Sequence, residues 1–242
     1  MPMTGGPFSP LRVGDAQPTD GRSRTFRRAV SANSYVTLPG SSGNYVSTPD
    51  TAALDITGDI EIVVRALATS WTITQNVGGK WITPSDRSYT LYTEATTGKL
   101  WFWLSANGID AGFSIKSSTG VPFSAGQAGW IKVTYRTSDR RVQFFTAADQ
   151  AGEPTSWTQL GTDVTQPIGT TTYAGAGTFH IGSDSGAGNM FGGRVYRFIV
   201  RNGIDGTTAA DFNPNLYASG STFTSTDGLV YTLNGTAAIT KA

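Results

Sequence analysis

The sequence predicts an all-β protein: two antiparallel sheets packed face to face as a sandwich, led by an extended N-terminal arm. Three observations predict it. Short apolar runs with period-two alternation recur along the chain, separated by turn residues. The 242 residues hold 30 Gly and 11 Pro, and only 14% are charged, a profile of many short strands and tight turns. No segment carries the apolar repeat of an amphipathic helix.

Residues 1–40 differ from the rest. They contain Pro2, Pro7, Pro10, Pro18 and Pro39, and Arg12, Arg22, Arg24, Arg27 and Arg28 against only Asp15 and Asp20. No periodicity survives there, so the segment reads as an arm. Its five arginines are candidate contacts to carboxylates or backbone of a neighbouring subunit. Residues 41–242 form the sandwich. Asn44 to Thr48 is a short strand ended by Pro49, and Asp59 to Leu67 alternates as a strand. Trp71 to Ile82 continues as strand with a break at Gly78-Gly79. Ser88 to Glu94 meets Lys99 to Leu104 across the four-residue loop Ala95-Thr-Thr-Gly98, a common hairpin length. Trp130 to Arg136 meets Arg141 to Thr146 across residues 137–140. Phe179 to Gly182 and Gly193 to Asn202 follow, and Gly228 to Asn234 with Ala237 to Thr240 suggests a closing hairpin.

Composition narrows the function classes. There is no Cys, which removes disulfides, zinc-thiolate sites and thiol catalysis. The single His, His180, leaves little room for metal centres or general-base chemistry. A net charge of +1 supplies no field for nucleic acid or a membrane surface. No run is apolar for membrane-spanning length. The N-terminus lacks the basic start and apolar run of a secretory signal, so export by that route is not expected.

The ordered motifs Gly58-Asp59-Ile60-Glu61-Ile62, Gly79-Lys80-Trp81, Tyr89-Thr90-Leu91, Gly98 to Leu104, Gly129-Trp130-Ile131-Lys132-Val133, Ile181-Gly182 and Phe191 to Val200 resemble the concanavalin A-like jelly roll, in its laminin-G-like branch. The likeness spans residues 44–204. A narrower one rests on Gly43 to Ile60, Ser156 to Gly161, Val195 to Gly206 and Leu233-Asn234-Gly235. These segments are similar to minor tail proteins of tailed phages that infect actinobacteria. That resemblance implies a non-enzymatic structural protein of a virion, in the tail or as a particle-surface decoration. It would be made in the bacterial host cytoplasm and assembled through other virion proteins and copies of itself. A lectin-like module in it would serve host attachment through cell-wall glycan.

The alternatives are a free glycan-binding lectin and a glycoside hydrolase of the same fold. Such hydrolases place two carboxylates across the glycosidic bond. Glu occurs only at Glu61, Glu94 and Glu153, in no such pattern. Asp59 and Glu61 share a strand face and read as solvated or turn-anchoring. His180 lies between Phe179 and Ile181 and reads as packed or surface. No cofactor is expected. Calcium needs several converging oxygens, and the loop Gly182 to Asn189 offers only Asp184 and Asn189, so a glycine-rich turn is the simpler reading.

The strand Gly98 to Leu104 carries the functional question. Leu100, Phe102 and Leu104 can fill a core, which turns Trp101 and Trp103 to the other face. With the loop at Ala95–Gly98, Tyr92 pairs with Trp101 and Thr90 with Trp103, so Tyr92, Trp101 and Trp103 share that face. In the second hairpin Ile131, Val133, Tyr135, Val142 and Phe144 point inward. Lys132, Thr134, Arg136, Arg141, Gln143 and Phe145 point outward. If the hairpins are neighbours in one sheet, Tyr92, Trp101, Trp103, Lys132, Arg136, Arg141, Gln143 and Phe145 form one surface. Its composition suits a sugar platform and a protein interface equally. Arm, neighbouring subunit or sugar could cover it, the first two being the simpler covers.

Overall fold

The computed structural model describes residues 33–82, 84–109, 113–165, 171–185 and 188–241. Seventeen strands and two short 3-10 turns are found among them. The strands are β1 (Tyr35–Pro39), β2 (Val46–Thr48), β3 (Ile60–Ala68), β4 (Gln75–Ile82), β5 (Asp86–Thr93), β6 (Lys99–Leu104), β7 (Phe113–Gly120), β8 (Ala128–Arg136) and β9 (Arg141–Ala148). After them come β10 (Thr158–Gln159), β11 (Val164–Thr165), β12 (Phe179–Ile181), β13 (Gly192–Asn202), β14 (Thr207–Phe212), β15 (Thr222–Thr224), β16 (Val230–Leu233) and β17 (Ala238–Thr240).

They form two antiparallel sheets. The nine-stranded sheet runs β10-β9-β8-β3-β13-β1-β17, with β11 also on β9 and β14 also on β13. The eight-stranded sheet runs β15-β16-β2-β12-β4-β5-β6-β7. Alternation explains the layers: Ile60, Ile62, Val64, Ile131, Val133, Phe144, Val195, Phe198 and Val200 of one sheet meet Val77, Tyr89, Leu91, Leu100, Phe102, Phe179 and Ile181 of the other in one buried core.

Both hairpin registers follow from loop length and alternation. Tyr92 pairs with Trp101, Leu91 with Phe102 and Thr90 with Trp103. Arg136 pairs with Arg141, and Val133 with Phe144. Gly98 closes the first loop at φ +63°, a left-handed conformation that suits glycine. Its amide donates to the Glu94 carbonyl at 3.1 Å. At Gly79 the constraint is close approach, because a Cβ there would lie 2.3 Å from the Tyr89 carbonyl oxygen.

Three features differ from the sequence expectation. Tyr35–Pro39 is not arm: β1 pairs with β13 and β17, and Val36 and Leu38 are buried. The arm residues 1–32, with Arg12, Arg22, Arg24, Arg27 and Arg28, lie outside the described residues. The two C-terminal strands are not a hairpin. β16 joins β2 in one sheet and β17 joins β1 in the other, so the tail closes both sheets. Glu61 is not solvated but fully buried, whereas Asp59 anchors a turn by accepting from the Thr137 amide at 2.8 Å.

One charge lies within the layers. Lys80 pairs across the strands with Tyr89, and its side chain has no exposure. Its ammonium sits 2.5 Å from both Asp50 and Asp55, which supplies the compensation a buried cation requires.

Candidate functional site

The candidate site is the outer face of the eight-stranded sheet. Register brings two rows of side chains to that face. His180, Gly79, Thr90, Trp103 and Ser114 stand opposite one another across β12, β4, β5, β6 and β7. Asn76, Tyr92, Trp101 and Lys116 form the next row.

The aromatic rings touch. The Trp101 and Trp103 centroids are 4.6 Å apart, and Tyr92 lies 6.3 Å from Trp101 and 5.8 Å from Trp103. Trp81 of β4 stands nearly perpendicular to Trp103 at 5.8 Å. A cation closes each end of the row. The Lys116 ammonium lies 4.2 Å from the Trp101 centroid, and the Arg87 guanidinium 5.8 Å from that of Trp81, both within cation–π range. Lys116 also pairs with Glu94, and that hydrogen bond, with one from Thr97, holds the Glu94 carboxyl below its usual range. Trp101 and Trp103 are half-buried, and their indole N–H groups are shielded yet have no acceptor among the described residues.

Beside the row, a loop folds over β4 and β5. The Tyr92 hydroxyl donates to Asp184 Oδ2 at 3.2 Å, and the Asn189 amide donates to the same oxygen at 2.8 Å. The Asn76 backbone amide donates to the Asn189 carbonyl at 2.6 Å. Burial, then the Asp184 charge, pushes the Tyr92 phenol up. His180 packs its ring 4.6 Å from that of Tyr45. Its Nε2 shares a hydrogen bond with Thr178 Oγ1 at 2.9 Å, and its Nδ1 has no partner among the described residues. Burial lowers its pKa to about 4 against the opposing pull of Asp184. Asp184 and Asn189, the calcium candidates, do meet, but as acceptor and donor. Two donors already engage Asp184 Oδ2, and no metal-holding group of three His, Asp or Glu is found among the described residues.

The two hairpins are not neighbours. β5 and β6 belong to the eight-stranded sheet, β8 and β9 to the nine-stranded sheet. Their inner residues share one core, so their outer residues point to opposite sides of the sandwich. Tyr92, Trp101 and Trp103 therefore come together, while Lys132, Arg136, Arg141, Gln143 and Phe145 lie on the far surface. There, Lys132 sits over the rings of Phe145 and Trp157 at 5.1 and 4.8 Å. Arg136 pairs with Asp139 at 2.6 Å, and Arg141 and Gln143 bond Asp163. The glutamates form no open pair. Glu61 and Glu153 share one guanidinium, that of Arg201, and Glu94 faces the other side.

Sequence reasoning missed Trp81, Arg87 and Lys116. Trp81 follows a lysine that points inward, a reversal of the polar-out rule that alternation alone does not suggest. Lys116 sits in β7, whose Lys-Ser-Ser-Thr-Gly run reads as a loop. The usable signal was the aromatic partner itself: two outward indoles require other groups beside them.

No family model and no curated protein match the chain. Solved structures do. A putative carbohydrate-binding protein from Bacteroides ovatus superposes with a TM-score of 0.59 at 11% identity, covering 87% of this chain and 60% of that one. The CBM40 domain of a Ruminococcus gnavus sialidase, bound to α2,3-sialyllactose, gives 0.51 at 14% identity, over 72% and 94%. A heptameric SAP-like pentraxin from Limulus polyphemus gives 0.50 at 14% identity, over 71% and 76%. At these identities the likeness is one of fold, and it places the chain among concanavalin A-like jelly-roll sandwiches.

Proposed function

We propose that the protein is a non-enzymatic glycan-binding module that uses the outer face of its eight-stranded sheet. The observation that carries this reading is the pair of half-buried, touching indoles Trp101 and Trp103 on an outer sheet face, backed by the buried rings of Tyr92 and Trp81. Indole faces stack on the apolar side of a pyranose, and a CBM40 domain bound to α2,3-sialyllactose and a putative carbohydrate-binding protein are among the structures that share the fold. The three glutamates, each held by a cation, support the non-enzymatic part. A glycan array probed with the wild-type chain and with Trp101→Ala plus Trp103→Ala tests the proposal. Binding is expected for the wild type alone, and wild-type silence across the array would refute it.

We further propose that this module is a structural protein of a phage particle, as a minor tail protein or surface decoration, built in through other virion proteins or copies of itself. Support comes from the likeness of residues 43–60, 156–161, 195–206 and 233–235 to minor tail proteins. Several copies on one particle would raise weak single-site affinity through avidity. The chain should then be present in purified particles by mass spectrometry, and its absence from them would end this part of the reading.

A further inference from the structure

We infer that the ligand of the aromatic row is an acidic saccharide, and that Arg87 reads its carboxylate. This rests on the glycan-binding reading above.

The two cations that close the row are not equivalent. Lys116 is neutralised by Glu94. Arg87 forms no ion pair among the described residues. One of its Nη1 hydrogens goes to the Ile109 carbonyl. Its Nε is shielded from water and has no acceptor among the described residues. Asp86, the preceding residue in β5, makes no ion pair with it among the described residues.

A guanidinium held by one carbonyl and one ring face keeps its orientation while retaining free donors. That planar fork matches a carboxylate in a way an ammonium does not. A partly buried cation beside a neutral sugar gains no charge partner, whereas an acidic sugar supplies one where solvent has already been reduced. Ring geometry fits the same ligand. Trp81 stands at 80° to Trp103 and is itself buried, so it backs Trp103 and does not extend a flat platform. A single sugar ring against Trp103 can turn its substituent toward the Arg87 end.

The test is a glycan array carrying uronic- and sialic-acid glycans beside their neutral counterparts, probed with the full chain. The proteins are wild type, Arg87→Gln, Arg87→Lys and Trp103→Ala, each checked for folding by thermal melting. Wild type should select acidic glycans, and added salt should weaken that binding. Arg87→Gln should lose roughly ten- to a hundredfold, the range for a hydrogen bond to a charged group. Arg87→Lys should recover part of it. Should Arg87→Gln fail to fold, Arg87→Lys and the salt dependence decide. Preference for neutral glycans, unchanged by Arg87→Gln but lost in Trp103→Ala, would overturn the acidic reading and leave glycan binding standing. No glycan bound by wild type would overturn both.

Discussion

The two outer faces of the sandwich are built from the same residue types and end in opposite states. On the nine-stranded sheet, Trp130 is fully buried with Val63 and Ile199, and Trp157 packs against that cluster. The Trp130 N–H donates to the Gln150 carbonyl at 3.1 Å. Glu61 meets Arg201, which Glu153 also grips at 2.7 Å, and Lys132 lies 3.6 Å from Glu61. The segment that supplies Gln150, Glu153 and Trp157 folds back over this face and answers the Trp130 N–H and the Arg201 guanidinium. On the eight-stranded sheet, Trp101 and Trp103 are half-buried, and among the described residues their N–H groups have no acceptor and Arg87 has no ion-pair partner. An outward tryptophan is therefore no sign of function by itself. What distinguishes the second face is polar capacity left over after the rings have packed.

Paired truncations should separate the faces most sharply. Trp130→Ala empties a fully buried site and strands the Gln150 carbonyl, so it should cost about 3–5 kcal/mol, as large core truncations do. Trp103→Ala removes a half-buried ring that closes no core, and should cost on the order of 1–2 kcal/mol by lost area. Denaturant unfolding at neutral pH measures both. Equal losses would break the comparison, because Trp103 would then be a structural residue like Trp130.

The same contrast shows what was legible in the sequence. The Tyr92–Trp101 and Arg136–Arg141 pairings could be read because each hairpin has a short loop and strict alternation, and both are local facts. Which sheet each hairpin joins is not local. It depends on β8 finding β3 and on β4 finding β12, partners far apart in sequence, and nothing in either hairpin encodes it. So the aromatic cluster was legible, while Lys132, Arg136, Arg141, Gln143 and Phe145 belong to the opposite surface. The cations that flank the rings, Arg87 and Lys116, sit on strand residues that carry no strong strand signal. β1 was hidden for a similar reason: Tyr-Val-Thr-Leu-Pro is a short strand beside a proline-rich, arginine-rich stretch, and only its partners β13 and β17 make it one. β16 and β17 are close in sequence, which suggests a hairpin, yet Asn234 to Ala237 carries the chain from one sheet to the other, with the Ala237 amide bonding the Asn234 carbonyl at 3.1 Å.

A smaller effect should distinguish the faces by acid. The polar groups packed on the nine-stranded face are charged and paired, whereas the eight-stranded face hides a neutral His180 with one ring nitrogen unanswered. Its folded pKa of about 4 lies below the ordinary 6.5, because burial disfavours the imidazolium more than Asp184 favours it. Between those values the unfolded chain binds more protons than the folded one. Stability from this group is thus whole above pH 6.5, falls as pH drops through that window, and is gone below about 4. The loss should be roughly 2–3 kcal/mol across the window, since each tenfold difference in proton affinity between the two states is worth about 1.4 kcal/mol. The carboxylates common to wild type and variant cancel if His180→Gln is unfolded beside wild type at pH 7, 5.5 and 4.5. The stability gap between them should move in favour of the variant with each step down. A gap independent of pH would mean that His180 is solvated in the folded protein, and the outer face of the eight-stranded sheet would then be open at β12 as well as at β6.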